Sequence, residues 1–331
     1  MNVDAVHWEA LSDHRVACKL CPTACNLAEG RVGSCGTRAN RQGQMVPLQY
    51  GRVVAAGVDP MEKKPLYHFL PGRPIFSVAA RGCNLHCEFC QNWQISQQPE
   101  GVVNRCLPQD VVELAVTNDS VGIAFTYSEP LVWYEFVRDT ARLAHEAGLV
   151  NVLVSNGYLN TEPLREIIDL IDAANIDLKS MDPRFYTDIC KGKLEPVLAN
   201  ITALHEAGVH LEITNLVIPG HNDSDEQLAQ LRDFVADLSV DIPLHLSAYR
   251  PEWKFEAPAT PPATLQRAAE ICAQRLRYVF VGNVQLADWN DTRCPQCRAV
   301  VIRRLGYTTE CRLEESACPD CGHGLPVVMT T

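Results

Sequence analysis

Ile75-Phe76-Ser77-Val78-Ala79-Ala80-Arg81-Gly82-Cys83-Asn84-Leu85-His86-Cys87-Glu88-Phe89-Cys90-Gln91-Asn92 is the stretch on which the reading of this chain turns. Its first six residues are an apolar run of strand length, and the run ends at a polar, glycine-containing loop. The loop carries Cys-x3-Cys-x2-Cys on Cys83, Cys87 and Cys90. Three thiolates on one loop can hold three irons of a [4Fe–4S] cube and leave the fourth iron without a protein ligand. Such an open position makes a cluster a substrate-binding centre rather than an electron carrier alone. The bland alternative is a zinc site that borrows a fourth ligand such as His86. Zinc sites favour paired Cys-x-x-Cys knuckles, so this spacing speaks for the cluster.

Outward from this loop the apolar runs recur. Strands are expected over 75–80, 121–127, 150–156, 174–179, 211–218, 244–249 and 278–282, each short and largely apolar, as parallel strands covered on both faces should be. Helical stretches fall between them at 108–118, 130–147, 162–172, 194–207, 224–238 and 261–276. Pro108, Thr161 and Ser224 stand near helix starts, and Gly148 and Gly208 follow helix ends. Repeated β–α units predict an α/β fold, a full or partial (β/α) barrel, with chemistry at the C-terminal ends of its strands. The expected organisation is an N-terminal cysteine module with a hairpin over Val46–Val58 (1–60), a core (61–292) and a C-terminal cysteine module (293–331).

The chain has 331 residues, 47% hydrophobic and 21% charged, with a formal charge of −11. That balance argues against a nucleic-acid partner held through phosphate charge. Neither a membrane-spanning run nor a basic, apolar leader pattern is read, so the expected location is cytoplasmic. Twelve of the 15 cysteines fall in three groups, which points to metal rather than disulfides in a chain of this size. Cys294-x2-Cys297 and Cys318-x2-Cys321 form two knuckles of zinc-ribbon or rubredoxin type, and zinc and iron both accept four thiolates. Cys18-x2-Cys21-x3-Cys25-x9-Cys35 is less regular and is compatible with zinc or an auxiliary [4Fe–4S] cluster. Cys106, Cys190 and Cys272 stand alone and read as ordinary core residues.

The cysteine loop resembles the signature of the radical S-adenosylmethionine (SAM) superfamily. The whole chain resembles the radical SAM member of the AmmeMemoRadiSam system, a subgroup similar to pyruvate formate-lyase-activating enzymes. The matching segments include Cys18-x2-Cys21-Pro22, Asp59–Gly72, Tyr127-Ser128-Glu129-Pro130, Gly282-Asn283 and the two final knuckles. The resemblance implies SAM bound at the open iron, with Phe89 near the adenine. Thr126–Pro130 takes the place of the family's Gly-Gly-Glu motif, where Ser128 and Glu129 would meet the SAM ammonium and Tyr127 replaces a glycine. Asn156 would approach the ribose, and Asp177-x-Lys179 resembles the SAM-binding pair of glycyl-radical-enzyme activases. Val217–Asp223 and Tyr249-Arg250-Pro251 resemble further segments bordering that site, and Asp59–Gly72 is expected to line the barrel mouth. The implied activity is reductive cleavage of SAM to a 5′-deoxyadenosyl radical that abstracts hydrogen from a protein or other partner. The electron donor would be of flavodoxin or ferredoxin type. Two alternatives stand beside it: radical SAM modification of a small metabolite, and a non-catalytic zinc-binding interaction protein.

Overall fold

The computed structural model describes residues 3–98, 101–284, 286 and 289–330. Its centre is one eight-stranded sheet whose order follows the chain. The strands are β1 (Ala55–Pro60), β2 (Pro74–Ala79), β3 (Gly122–Phe125), β4 (Val150–Ser155), β5 (Ala173–Asp177), β6 (His210–Val217), β7 (Leu244–Ala248) and β8 (Val279–Gly282). β2 to β8 run parallel, and β1 pairs antiparallel with β2. Helices α1 (Pro108–Thr117), α2 (Tyr134–Glu146), α3 (Thr161–Ile167), α4 (Leu194–Glu206), α5 (Asp225–Leu238) and α6 (Pro262–Cys272) occupy the crossovers. Pro108 sits at the first turn of α1, and the Ser224 hydroxyl caps α5 by accepting from the Gln227 amide. α3 is shorter than its sequence pattern suggests: Asn160 is its N-cap, and it passes at Ile168 into a 3₁₀ turn.

Among the described residues no ladder joins β1 to β8, so the barrel is partial. A non-strand segment fills its interior instead. Met61, Leu66, Phe69 and Leu70 pack with Ile75, Ala124, Val150, Val152 and Ala173 on the inner face. Period-two alternation puts Glu212, Thr214 and Leu216 of β6 on this face in successive layers. At the lowest layer the fully buried Glu212 carboxylate accepts from the amides of Tyr67 (3.0 Å) and His68 (2.7 Å), with the imidazole of His245 at 2.6 Å. Asn175 of β5 donates to the Pro65 carbonyl at 2.7 Å. The segment expected at the barrel mouth is therefore mostly its floor, because its apolar side chains and backbone amides satisfy the bottom of the open sheet.

The expected Val46–Val58 hairpin is not formed. Arg38–Arg41 pairs with Gln44–Pro47 across Gln42-Gly43, both at positive φ, the geometry of a two-residue primed turn. Residues 55–60 leave for the main sheet as β1. A three-stranded sheet (Trp8–Ala10, Val16–Cys18, Asn26–Leu27) completes the N-terminal module. An ion pair between Arg38 and Glu135 of α2, both almost fully buried, fastens it to the core. The C-terminal module is another three-stranded sheet (Thr292–Arg293, Val300–Leu305, Thr308–Cys311). It packs Val301, Ile302, Leu313 and Leu325 against Tyr278 and Phe280, and Arg304 lies 4.2 Å over the Tyr67 ring. No described helix is long and apolar enough to cross a membrane.

Candidate active site

The C-terminal ends of β2 to β8 converge on a cavity of about 300 Å³. Cys83, Cys87 and Cys90 face it from the loop after β2, and Asp177 and Lys179 from the end of β5. Phe89, Ser128 and Asn156 also line it, as do Thr214, Ser247 and Asn283. Gathering polar groups at this end is what a parallel α/β sheet does, since each strand is followed there by a loop free of ladder bonds.

Donors stand beside Cys83 and Cys90, against burial that raises the pKa of both thiols. The Leu85 amide points at Cys83 Sγ at 3.4 Å and Asn156 Nδ2 at 3.5 Å. The Ser96 hydroxyl lies 3.1 Å from Cys90 Sγ. Cys190, fully buried, lies near Cys87, and its thiol holds the Cys87 pKa below the ordinary value. Sequence reasoning placed Cys190 among plain core residues; nothing local marks it, because a short π-helical turn (Tyr186–Cys190) brings it to the loop. The backbone repeats the connection, with His86 N donating to the Cys190 carbonyl at 2.8 Å.

Asp177 and Lys179 both face the cavity, as strand alternation leads one to expect, with Nζ 3.3 Å from Asp177 Oδ2. The ammonium lies 5.9 Å from the centre of the Phe89 ring. Burial opposes the lysine charge, yet Asp177 and the nearby thiols outweigh it and raise its pKa well above the usual value. Asn222, in the turn after β6, donates to the Lys179 carbonyl at 2.7 Å and so fixes the lysine backbone. Tyr249 does not border the cavity: it is fully buried and donates to the Phe255 carbonyl at 2.7 Å.

Glu129 departs from its expected role. Its carboxylate lies behind the wall, accepting from Leu131 N (2.9 Å), Ser155 Oγ (2.8 Å) and Asn156 N (2.8 Å). Burial pushes its pKa up to about 7 against those bonds. The side chain thus organises the ends of β3 and β4, and it is buried rather than among the groups that line the cavity. Ser128 likewise spends its hydroxyl on the Ala80 carbonyl, at 2.6 Å. Tyr127, standing where the family has glycine, keeps a glycine-like φ of +75°. Its hydroxyl donates to Asp59 Oδ2 at 2.5 Å, and the fully buried Lys64 reaches the same oxygen at 2.7 Å. Lys64 is therefore a buried clamp on Asp59, and the exposed Lys63 reaches the other oxygen of the same carboxylate at 2.7 Å.

The outer cysteines differ in how tightly they gather. Cys294, Cys297, Cys318 and Cys321 bring all four sulfurs within 4.8 Å of one another, with the Cys294–Cys321 and Cys297–Cys318 pairs at 3.6 Å. Cys311, in contrast, is exposed outside this group. Cys18, Cys21, Cys25 and Cys35 line one small cavity, together with Arg38 and Asn84. Among the described residues, the C-terminal set alone gathers three or more potential metal ligands within 4.8 Å.

Residues 77–232 match the Radical SAM superfamily. The chain is 38% identical over 334 residues to an uncharacterized protein of Methanocaldococcus jannaschii, covering 98% of this chain and 99% of that protein. It is 26% identical over 169 residues to the pyruvate formate-lyase 1-activating enzyme of Escherichia coli K12, covering 49% of this chain and 69% of that enzyme. Among solved structures, Streptococcus suis SuiB bound to precursor peptide SuiA shares the fold, at 16% identity and a TM-score of 0.51. That match covers 68% of this chain and 51% of SuiB. With three cysteines on the loop after β2 and a parallel sheet presenting its strand ends to them, the chain belongs to the radical SAM superfamily.

Proposed function

We propose that Cys83, Cys87 and Cys90 hold a [4Fe–4S] cluster and that SAM occupies the cavity beside it. The observation that carries this reading is the convergence of these three thiols with Asp177 and Lys179 on one cavity. When bound, the cluster would supply the open iron and the electron that cleave SAM to a 5′-deoxyadenosyl radical. The chain's own residues do the rest. Lys179 offers its ammonium to the amino-acid carboxylate of SAM, and Asp177 its carboxylate to the SAM ammonium, so the zwitterion meets matched charges. Phe89 gives a π-face for the adenine. Leu85, Val154 and Leu216 supply apolar wall that limits water near the reacting atoms. Glu129 holds Ser155 and the Asn156 backbone in place, which aims the Asn156 amide at Cys83 and its neighbourhood.

The reaction we favour is hydrogen abstraction from a protein partner, driven by a flavodoxin- or ferredoxin-type donor. Similarity to activating enzymes over the core supports this reading. The C-terminal cysteines take one tetrahedral zinc or iron that staples the terminal sheet. Titrating SAM into the reduced, cluster-loaded protein and following the cluster by electron paramagnetic resonance (EPR) tests the site. SAM should shift the signal, and Lys179→Met should need at least about tenfold more SAM to do so, the loss of one charged hydrogen bond. An unchanged signal at millimolar SAM would contradict the assignment.

A further inference from the structure

We propose that Cys18, Cys21, Cys25 and Cys35 hold a second cluster of [4Fe–4S] type that hands single electrons to the cluster on the Cys83 loop; the second half rests on the function proposed above. Sulfur spacing separates the two outer cysteine sets. One metal bound at about 2.3 Å by four thiolates puts their sulfurs about 3.8 Å apart. The C-terminal set meets that demand, with all sulfurs within 4.8 Å. The N-terminal four ring one cavity, yet no three of them come within that distance of one another. The Cys83, Cys87 and Cys90 sulfurs are spread in the same sense. A cube separates its ligands more widely than a single ion does, so a spacing wider than that of the terminal knuckles is compatible with a cluster at the N-terminal set.

The lining of the N-terminal cavity is polar on the sulfur side. Arg38 directs Nη1 at Cys18 Sγ (3.5 Å), and the Thr37 hydroxyl lies 3.1 Å from Cys35 Sγ. The Thr37 proton goes to the Val132 carbonyl (2.9 Å), which leaves its oxygen to face Cys35, and the guanidinium aimed at Cys18 shares its charge with Glu135. A donor to sulfur stabilises an anionic centre. Leu20 and Val132 complete a wall with no carboxylate in it.

The N-terminal cysteines also lie directly against the cluster loop. Gly82, directly before Cys83, has φ +102°, and a β-carbon there would collide with the Cys35 carbonyl and the Thr37 side chain. Ser34 Oγ lies 2.7 Å from His86 Nε2, which ties the outer loop to the cluster loop. Asn84 lines the outer cavity and accepts at 3.0 Å from Asn156, whose amide also reaches Cys83 Sγ. Two hydrogen bonds thus run from the wall of one site to a ligand of the other.

The step is electron transfer alone. A low-potential one-electron donor reduces the outer cluster by one electron, and that cluster is reoxidised as the electron passes inward; no bond or proton changes hands. The test uses the full-length Cys83/Cys87/Cys90→Ala variant, reconstituted anaerobically. It should keep about four acid-labile sulfides per chain, against about eight in the unmutated protein, and give a reduced-cluster EPR signal indifferent to SAM. Mixed with flavodoxin hydroquinone, it should take up one electron at a rate within about threefold of the unmutated chain. Absence of sulfide from the variant, beside about four in the unmutated chain, would overturn the second cluster, whereas about four in both would count against the cluster on the Cys83 loop instead. Sulfide without electron uptake would overturn the relay. Both results are read without SAM cleavage, so they stand apart from failure of the proposed function.

Discussion

Replacing Glu135 with alanine should release the N-terminal module while the barrel stays folded. The Arg38 and Glu135 side chains are 1% and 2% exposed. Glu135 Oε1 receives the Arg38 guanidinium and, at 3.0 Å, the Val6 amide. Without that oxygen Arg38 keeps only the Val6 carbonyl (2.7 Å) and the Cys18 sulfur (3.5 Å), and its Nε already has no partner. Removing one member of a buried pair costs about 3–5 kcal/mol, since the survivor stays desolvated and unpaired. At 1.4 kcal/mol per factor of ten, opening of the module becomes about a hundred to a few thousand times more frequent. Native-state hydrogen exchange reads this directly. Amides of the Arg38–Arg41 and Val16–Cys18 strands should exchange faster by that factor, while those of β4 hold their rates. Arg38→Met with Glu135→Leu should recover most of the protection, because apolar replacement of both partners is often neutral. Unchanged exchange in the module would refute the reasoning, and so would equal acceleration throughout β4.

Lys179→Met should weaken SAM binding, followed by equilibrium dialysis, by at least about tenfold with iron and sulfide counts unchanged; loss of the iron would mean the lysine supports the cluster instead. Burial works to raise the pKa of Glu212, but the bonds from His210 and His245 outweigh it and hold it well below its ordinary 4.5. The folded chain then binds fewer protons than the unfolded one below that value, so this contribution is present above about pH 4.5 and lost on acidification. Glu212→Gln should flatten the fall of the urea midpoint on acidification below that pH, and an identical slope in both proteins would contradict it. A strong chelator should strip one metal from the C-terminal knuckles and lower the melting temperature, with exchange rising first in Val300–Leu305; removal without any shift would argue against a structural role. Gly82→Ala should impair assembly of both cysteine loops, visible as sulfide lost from each, because the added carbon meets the Cys35 carbonyl.

The parallel strands were legible because strands covered on both faces must be continuously apolar, and 75–80 or 150–156 admit little else. The convergence of Cys83, Cys87, Cys90, Asp177 and Lys179 followed from that, since each lies at or just beyond a strand's C-terminal end. What escaped depends on partners distant in sequence. β1 looks like half of a local hairpin until β2, 14 residues after its end at Pro60, is seen to take its ladder bonds. Residues 61–72 read as polar and aromatic, but Glu212, more than 140 positions away, draws the Tyr67 and His68 amides inward and makes the segment a floor. Glu129 carries the expected acid, while the Ser155 hydroxyl and Asn156 amide that engage it belong to the next strand. Cys190 meets Cys87 only through a π-helical turn that no periodicity announces.

The measurement that bears most directly on the central claim is anaerobic reconstitution with iron and sulfide, reduction by dithionite in the presence of SAM, and quantitation of 5′-deoxyadenosine, beside the Cys83/Cys87/Cys90→Ala variant. Deoxyadenosine should form with the unmutated chain and not with the variant. Zinc at all three cysteine sites with no SAM cleavage, or equal cleavage by both proteins, would contradict that claim.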